Sequence, residues 1–326
     1  MKKEHLVFSG GGIAGFLHHG AFMHLIEKNF INFDDIKSIH GTSIGAFLSV
    51  IYSLKIDKKI LNNYIINRPL DKLFSIESGF LFNNSNKLGF FNILEITKKI
   101  LEPLFKYVNI DIDITMKEFY NKTSIEIFLY TINVIKFDCV TISHETFPNL
   151  KVVDAVAMSS SVPIIFQPIF YENNFYIDGG ILNNYPLQSC IDHLKNNSSG
   201  LNNITDNSNN ITNDENEDDN KKSDNDTNIN DSIMSFSLKW EHENEEIENM
   251  TFLTYIFFFV KQIILKFVSM QITENIENEI VMKTDSVLRS NSLQILNSSE
   301  KKNKLISVGK EHAESFLTNK NNNEQE

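Results

Sequence analysis

The chain has 326 residues, a formal net charge of −12 and an apolar fraction of 41%, enough for one large domain or two small ones. Nothing in it has the periodicity of a collagen, a coiled coil or a repeat array, and an acidic balance argues against a nucleic-acid partner. The two cysteines, Cys139 and Cys190, lack metal-ligand or redox spacing and read as buried thiols of a reducing compartment.

Residues 5–9 read as a buried strand and residues 16–28 as a helix. No apolar leader precedes that strand, which points to an intracellular protein, cytoplasmic or peripherally membrane-associated. Between strand and helix lie Gly10, Gly11, Gly12 and Gly15. A strand-to-helix junction presents unpaired helix amides that favour negative charge. Gly10, Gly12 and Gly15 fit a G-x-G-x-x-G dinucleotide fingerprint, and the same amides would also serve as the oxyanion hole of an acyl transfer.

The second strand decides between these readings. A dinucleotide site calls for an acidic residue at that strand's end to hold the ribose. Residues 36–40 form a short strand that ends instead in His40 and Gly41-Thr42-Ser43-Ile44-Gly45, whereas Asp34 and Asp35 precede the strand. A Gly-x-Ser-x-Gly sequence between a strand and a helix, here 44–54, is a nucleophile elbow that exposes the serine hydroxyl at a strained bend. Gly41 and Gly45 are small enough to allow that bend. Acyl transfer is the reading carried forward.

Further along, 93–107 and 153–158 read as helices, and 124–133 and 139–143 as strands. Alternation of this kind predicts an α/β fold, a mainly parallel sheet with helices on both faces, with its catalytic loops at the carboxyl ends of the strands. Phe175-Tyr176-Ile177 is a short apolar strand delivering Asp178 into Gly179-Gly180. By itself Asp-Gly reads as an ordinary turn.

A serine nucleophile needs a base, most often a histidine held by a carboxylate. His18, His19, His24, His40, His144, His193, His242 and His312 are available, yet none lies in a segment that resembles a catalytic loop. They read as surface or structural residues, with His193 and His312 kept as the bases of a Ser-His-Asp alternative.

Taken together, Gly10 to Gly15, Gly41 to Gly45, Asp178-Gly179-Gly180-Ile181-Leu182-Asn183-Asn184-Tyr185-Pro186 and the stretch 153–163 resemble the patatin-like phospholipases, from His5 to about Lys195. The resemblance implies a three-layer patatin-like fold and a Ser–Asp dyad without histidine. Ser43 would be the nucleophile and Asp178 its general base, in a base turn completed by Gly179 and Gly180. The oxyanion hole would be built from backbone amides of the Gly10, Gly11, Gly12 and Gly15 loop, those around Gly11 and Gly12 above all. One position departs from the family, which usually carries Arg or Lys where this chain has Ala14. The chemistry survives that change, but recognition of a phosphate head group loses a charge-assisted contact.

Residues 196–232 are low-complexity, with nine acidic residues and two lysines among Asn and Ser. Such a segment buries too little apolar surface to offset its ordering entropy and reads as a disordered loop insertion. Residues 233–238 then alternate like a strand, so the chain returns to the same sheet. One catalytic domain, 1–195 and 233–317, explains this pattern. Residues 251–270 are the most apolar run, but Lys261, Gln262 and Lys266 argue against a membrane span. A core-packed helix ranks ahead of an interfacial helix. Residues 305–317 read as a short amphipathic helix and 318–326 as a flexible tail.

The chain is thus expected to be a lipid acyl hydrolase of phospholipase A or lysophospholipase type. It would act on a lipid or phospholipid substrate at a transient membrane surface, with no cofactor and no metal. The alternatives are a Ser-His-Asp esterase and a non-catalytic lipid- or nucleotide-binding protein of the same fold.

Overall fold

The computed structural model describes residues 2–74, 88–205, 229–240, 274–284 and 292–323, with 255, 258, 259, 262, 263, 265–267, 270 and 271 between them. Among the described residues the strands are β1 (His5–Phe8), β2 (Ser38–Thr42), β3 (Gly89–Phe91), β4 (Glu126–Asn133), β5 (Asp138–Ile142), β6 (Ile164–Phe166), β7 (Ile169–Tyr171), β8 (Asn174–Asp178), β9 (Ile233–Trp240) and β10 (Glu279–Thr284). The helices among the described residues include α1 (Gly15–Glu27), α2 (Ile44–Ser53), α3 (Lys58–Asn67), α4 (Ile93–Tyr107), α5 (Met116–Thr123), α6 (Val152–Ser159), α7 (Gly180–Asn183), α8 (Leu187–Thr205), α9 (Ser292–Asn297) and α10 (Ser299–Asn323).

The main sheet is parallel through β10, β9, β1, β2 and β4. Its central strands are apolar on both sides: Leu6, Val7 and Phe8 are fully buried, as a strand covered by helices on both faces must be. The expected α/β fold and mainly parallel sheet are therefore present.

Strands at 139–143 and 175–177 were expected, but their antiparallel pairing and the strand β7 were not. β5 returns along β4 after a tight connection, pairing Leu129 with Ile142 through Asn133 with Asp138. β8 pairs antiparallel with β4 as well, from Thr131 with Asp178 to Asn133 with Tyr176, and β7 completes the hairpin. Since β5 overlaps both β2 and β8 along β4, it must occupy the opposite edge from them. β2 and β8 therefore share one edge of β4 and meet end to end, β2 finishing at Tyr130 and β8 at Thr131. That junction positions the site.

Other expectations need correction. Cys190 is buried but Cys139 is exposed, because it lies on β5, at the margin of the sheet. Helix α8 continues to Thr205, ten residues into the stretch read as an insertion. Ile229 packs on a cluster containing Val7, Leu187, Cys190 and Ile191, and the Ser232 carbonyl accepts from the Glu4 amide at 2.8 Å. Only 206–228 of the expected insertion falls outside the described residues. The closing helix is longer than expected in both directions and absorbs the tail as far as Asn323. It lies along α1, where Leu305, Ile306 and Ala313 are buried and Glu314 meets His24 at 2.5 Å and Lys28 at 3.1 Å.

The 251–270 segment falls partly outside the described residues. Its described residues are helical, and they do not fit a core helix: Tyr255, Phe259, Ile263, Phe267 and Met270 are 51, 51, 38, 38 and 65% exposed. Among the described residues no helix is long and apolar enough to cross a membrane.

Candidate active site

Ser43 sits between β2 and α2 with φ 56° and ψ −118°. That conformation is sparsely populated by non-glycine residues and costs on the order of 1–3 kcal/mol, so the surroundings must hold it. They do so from α6. The Ser43 amide donates to Ser159 Oγ at 3.0 Å, while Ser160 Oγ donates to the Ser43 carbonyl at 3.1 Å. Ser159 in turn donates to the Tyr130 carbonyl at 2.7 Å, which ties the elbow to β4. Gly45 is required by close approach, since a Cβ there would lie 2.3 Å from the Phe8 carbonyl oxygen.

Asp178 arrives at the elbow from the opposite direction. Its side chain is buried and accepts from the Gly180 amide at 2.7 Å. Burial pushes its carboxyl up to about 6, while the nearby Ser43 side chain and the Gly180 amide pull the other way. Thr42 Oγ1 donates to the Asn183 carbonyl at 2.8 Å, joining the elbow to the base turn a second time.

The glycine loop closes the third side. A Cβ on Gly10 would lie 3.3 Å from Ser43 Cβ and 2.4 Å from Asn184 Oδ1, so this position borders the nucleophile and admits no side chain. Its amide donates to the Asn184 carbonyl at 2.8 Å. The Gly15 amide is held by the Gly12 carbonyl and that of Ala14 by the Gly11 carbonyl. Among the described residues, no internal acceptor meets the amides of Gly11 and Gly12. Of the four glycines expected at an oxyanion hole, Gly11 and Gly12 are thus the ones whose amides are left available, while the amides of Gly10 and Gly15 are already engaged within the protein. Ala14 is fully buried, so the place where the family carries a cation faces the interior here.

Among the described residues, neither Ser43 nor Asp178 hydrogen-bonds a histidine; His242 lies outside them. His193 lies 4.4 Å from the Phe128 ring and 3.9 Å from Glu126, near the start of β4, four residues before Tyr130, or roughly 13 Å along the strand. His312 is on α10 between Gly309, which packs on Leu17 and Ala21, and Glu314, which meets His24. His18 is fully buried with Nε2 3.4 Å from Ser9 Oγ, and burial takes it down to about 3. Burial thus keeps it neutral.

Several supporting residues escaped the sequence reading. Ser159 and Ser160 were visible only as part of a familiar stretch. Gln271 was not singled out at all, yet its Oε1 accepts from the Asn184 amide at 2.9 Å and its Nε2 donates to the Ile181 carbonyl at 3.3 Å. No local pattern signals a glutamine that reaches back across 87 residues.

Residues 6–191 match the family described as patatin-like phospholipase. The chain is 32% identical over 188 residues to the probable lipid hydrolase 463L of Invertebrate iridescent virus 6, covering 57% of this chain and 62% of that protein. It is 28% identical over 195 residues to the uncharacterised protein YqhO of Bacillus subtilis, covering 56% and 64%. These matches span less than two thirds of either relative. Among solved structures, VipD from Legionella pneumophila aligns with a TM-score of 0.53 at 15% identity, over 98% of this chain and 67% of that one, a likeness of fold.

Proposed function

Because the chain belongs to the patatin-like phospholipase family, we propose that it is a lipid acyl hydrolase of phospholipase A or lysophospholipase type, working through a Ser43–Asp178 dyad. The observation that carries this reading is the approach of the buried Asp178 carboxyl to the Ser43 side chain where β2 and β8 meet end to end along β4. Ser43 Oγ attacks the ester carbonyl and its proton passes to Asp178. The amides of Gly11 and Gly12 stabilise the oxyanion, each donor worth about 3–4 kcal/mol in the transition state. Asp178 returns the proton to the departing alcohol, leaving an acyl ester on Ser43. It then takes a proton from the water that releases the fatty acid.

The substrate reading is supported by the exposed apolar stripe near this site. Tyr255, Phe259, Ile263, Phe267 and Met270 follow one another at steps of four, four, four and three residues, which places them on one helical face. The next residue, Gln271, bonds the base turn. A bilayer surface suits such a face, because insertion removes the aromatic rings from water while leaving the helix parallel to the interface. Docking there would bring the lipid to the mouth of the site.

A fluorophosphonate probe and a panel of defined lipids test the proposal. The expected result is covalent labelling of Ser43 and release of fatty acid. A protein that binds lipid without labelling would belong to the non-catalytic alternative. Ala14 focuses the panel on head groups: loss of a phosphate-binding cation predicts weak dependence on head-group charge.

A further inference from the structure

We propose that Glu126, His144 and Glu145 form a binding site for a divalent transition-metal ion of the zinc type, at the end of the sheet opposite Ser43. The inference does not rest on the hydrolase reading. Glu126 opens β4, and His144 and Glu145 follow β5 as it returns to that same end. One ligand atom from each of Glu126, His144 and Glu145 lies within 4.8 Å of the others.

The second observation is the state of His144. It is only 6% exposed, and its Nδ1 has no hydrogen-bond partner. A buried imidazole nitrogen left unpaired costs about 1–3 kcal/mol, and one face of the ring is already covered by Tyr120, stacked at 3.9 Å. The nearest charged oxygen, Glu126 Oε1, is 3.7 Å away, too far for a hydrogen bond. Two donors each about 2.1 Å from a tetrahedral ion are about 3.4 Å apart, so this separation is close to that of atoms sharing one metal.

A cation between the two carboxylates would take up the orphaned nitrogen of His144. Carboxylate oxygens with an imidazole nitrogen suit zinc and its neighbours, whereas calcium and magnesium call for oxygen alone.

The test uses the full chain, stripped with EDTA, desalted and titrated with Zn2+. The parent should retain about one ion per chain after gel filtration and melt several degrees higher with it. His144→Ala should lose both effects. Glu145→Gln changes an exposed side chain, so the fold is kept, and it should weaken Zn2+ binding tenfold or more. Hydrolysis of a soluble ester should be the same with and without Zn2+. The proposal is overturned if the parent retains no ion, if the two variants bind as the parent does, or if turnover stops when Zn2+ is removed, which would place the ion in the chemistry.

Discussion

The amide of Gly10 donates to the carbonyl of Asn184 at 2.8 Å, so the loop that would stabilise an oxyanion hangs from the turn that carries the base. Asn184 is held in turn by Gln271, and Thr42 reaches the neighbouring Asn183. The proposed nucleophile, anion-binding loop and base are thus tied together as one unit, and a shift in any of them displaces the others.

Ser43→Ala and Asp178→Asn should each lower ester hydrolysis by at least a thousandfold while the far-ultraviolet circular dichroism is kept. His193→Ala and His312→Ala should stay within a few-fold of the parent, since neither histidine bonds Ser43 or Asp178. A histidine variant as damaged as Ser43→Ala would replace the dyad with a triad.

Asp178 must be ionised to accept a proton, so kcat/KM should rise tenfold per pH unit below about 6 and level off above it. Stability has the opposite sign. The folded-state value is raised above the ordinary 3.8, so the stability associated with the protonated form is full below about 4 and is lost as pH rises through about 6. Asp178→Asn should therefore unfold later than the parent at pH 8, by on the order of 3 kcal/mol, and equally at pH 4. Urea unfolding at the two pH values checks this; a parent more stable than the variant at pH 8 would contradict it.

Phe259→Ser with Phe267→Ser should reduce hydrolysis of vesicle lipid tenfold or more and leave a soluble short-chain ester unaffected. Both side chains are exposed, so neither change opens a cavity. Gln271→Leu, by contrast, removes two hydrogen bonds to the base turn and should slow both substrates. Equal vesicle activity of the double variant and the parent would leave the stripe without a membrane role.

Removing residues 206–228 behind a Gly/Ser linker should preserve fold and activity, because closing a loop of different length changes stability only slightly. Extending the deletion to Asp231 should be harmful, since Ile229 fills an apolar cluster and the Asp231 carbonyl accepts from Lys3. Thermal melts of the two deletions separate these outcomes.

The elbow and the glycine loop were legible in the sequence because each is a local event. A strand, a bend flanked by Gly41 and Gly45, and a helix follow one another within about fifteen residues, and glycine is the residue that meets the steric demand at those two flanks. The strands that carry them were legible too, as unbroken apolar runs. Exposure of the 255–270 stripe was not, because periodicity says which residues share a face and nothing about what covers it. Nor does a polar composition forbid helix where a neighbour offers a packing surface, as α1 does for α10 and β1 for α8.

The sequence by itself determined the parts of the reaction: a strained serine, a loop of free amides and an aspartate in a glycine turn. Only the tertiary structure decided that Asp178 reaches Ser43, because that depends on β2 and β8 approaching end to end along one edge of β4, with Tyr130 and Thr131 as adjacent partners. The same is true of Gln271 under the base turn and of Glu126 beside His144. Contacts between distant segments follow from strand order and register, which no short window of residues encodes.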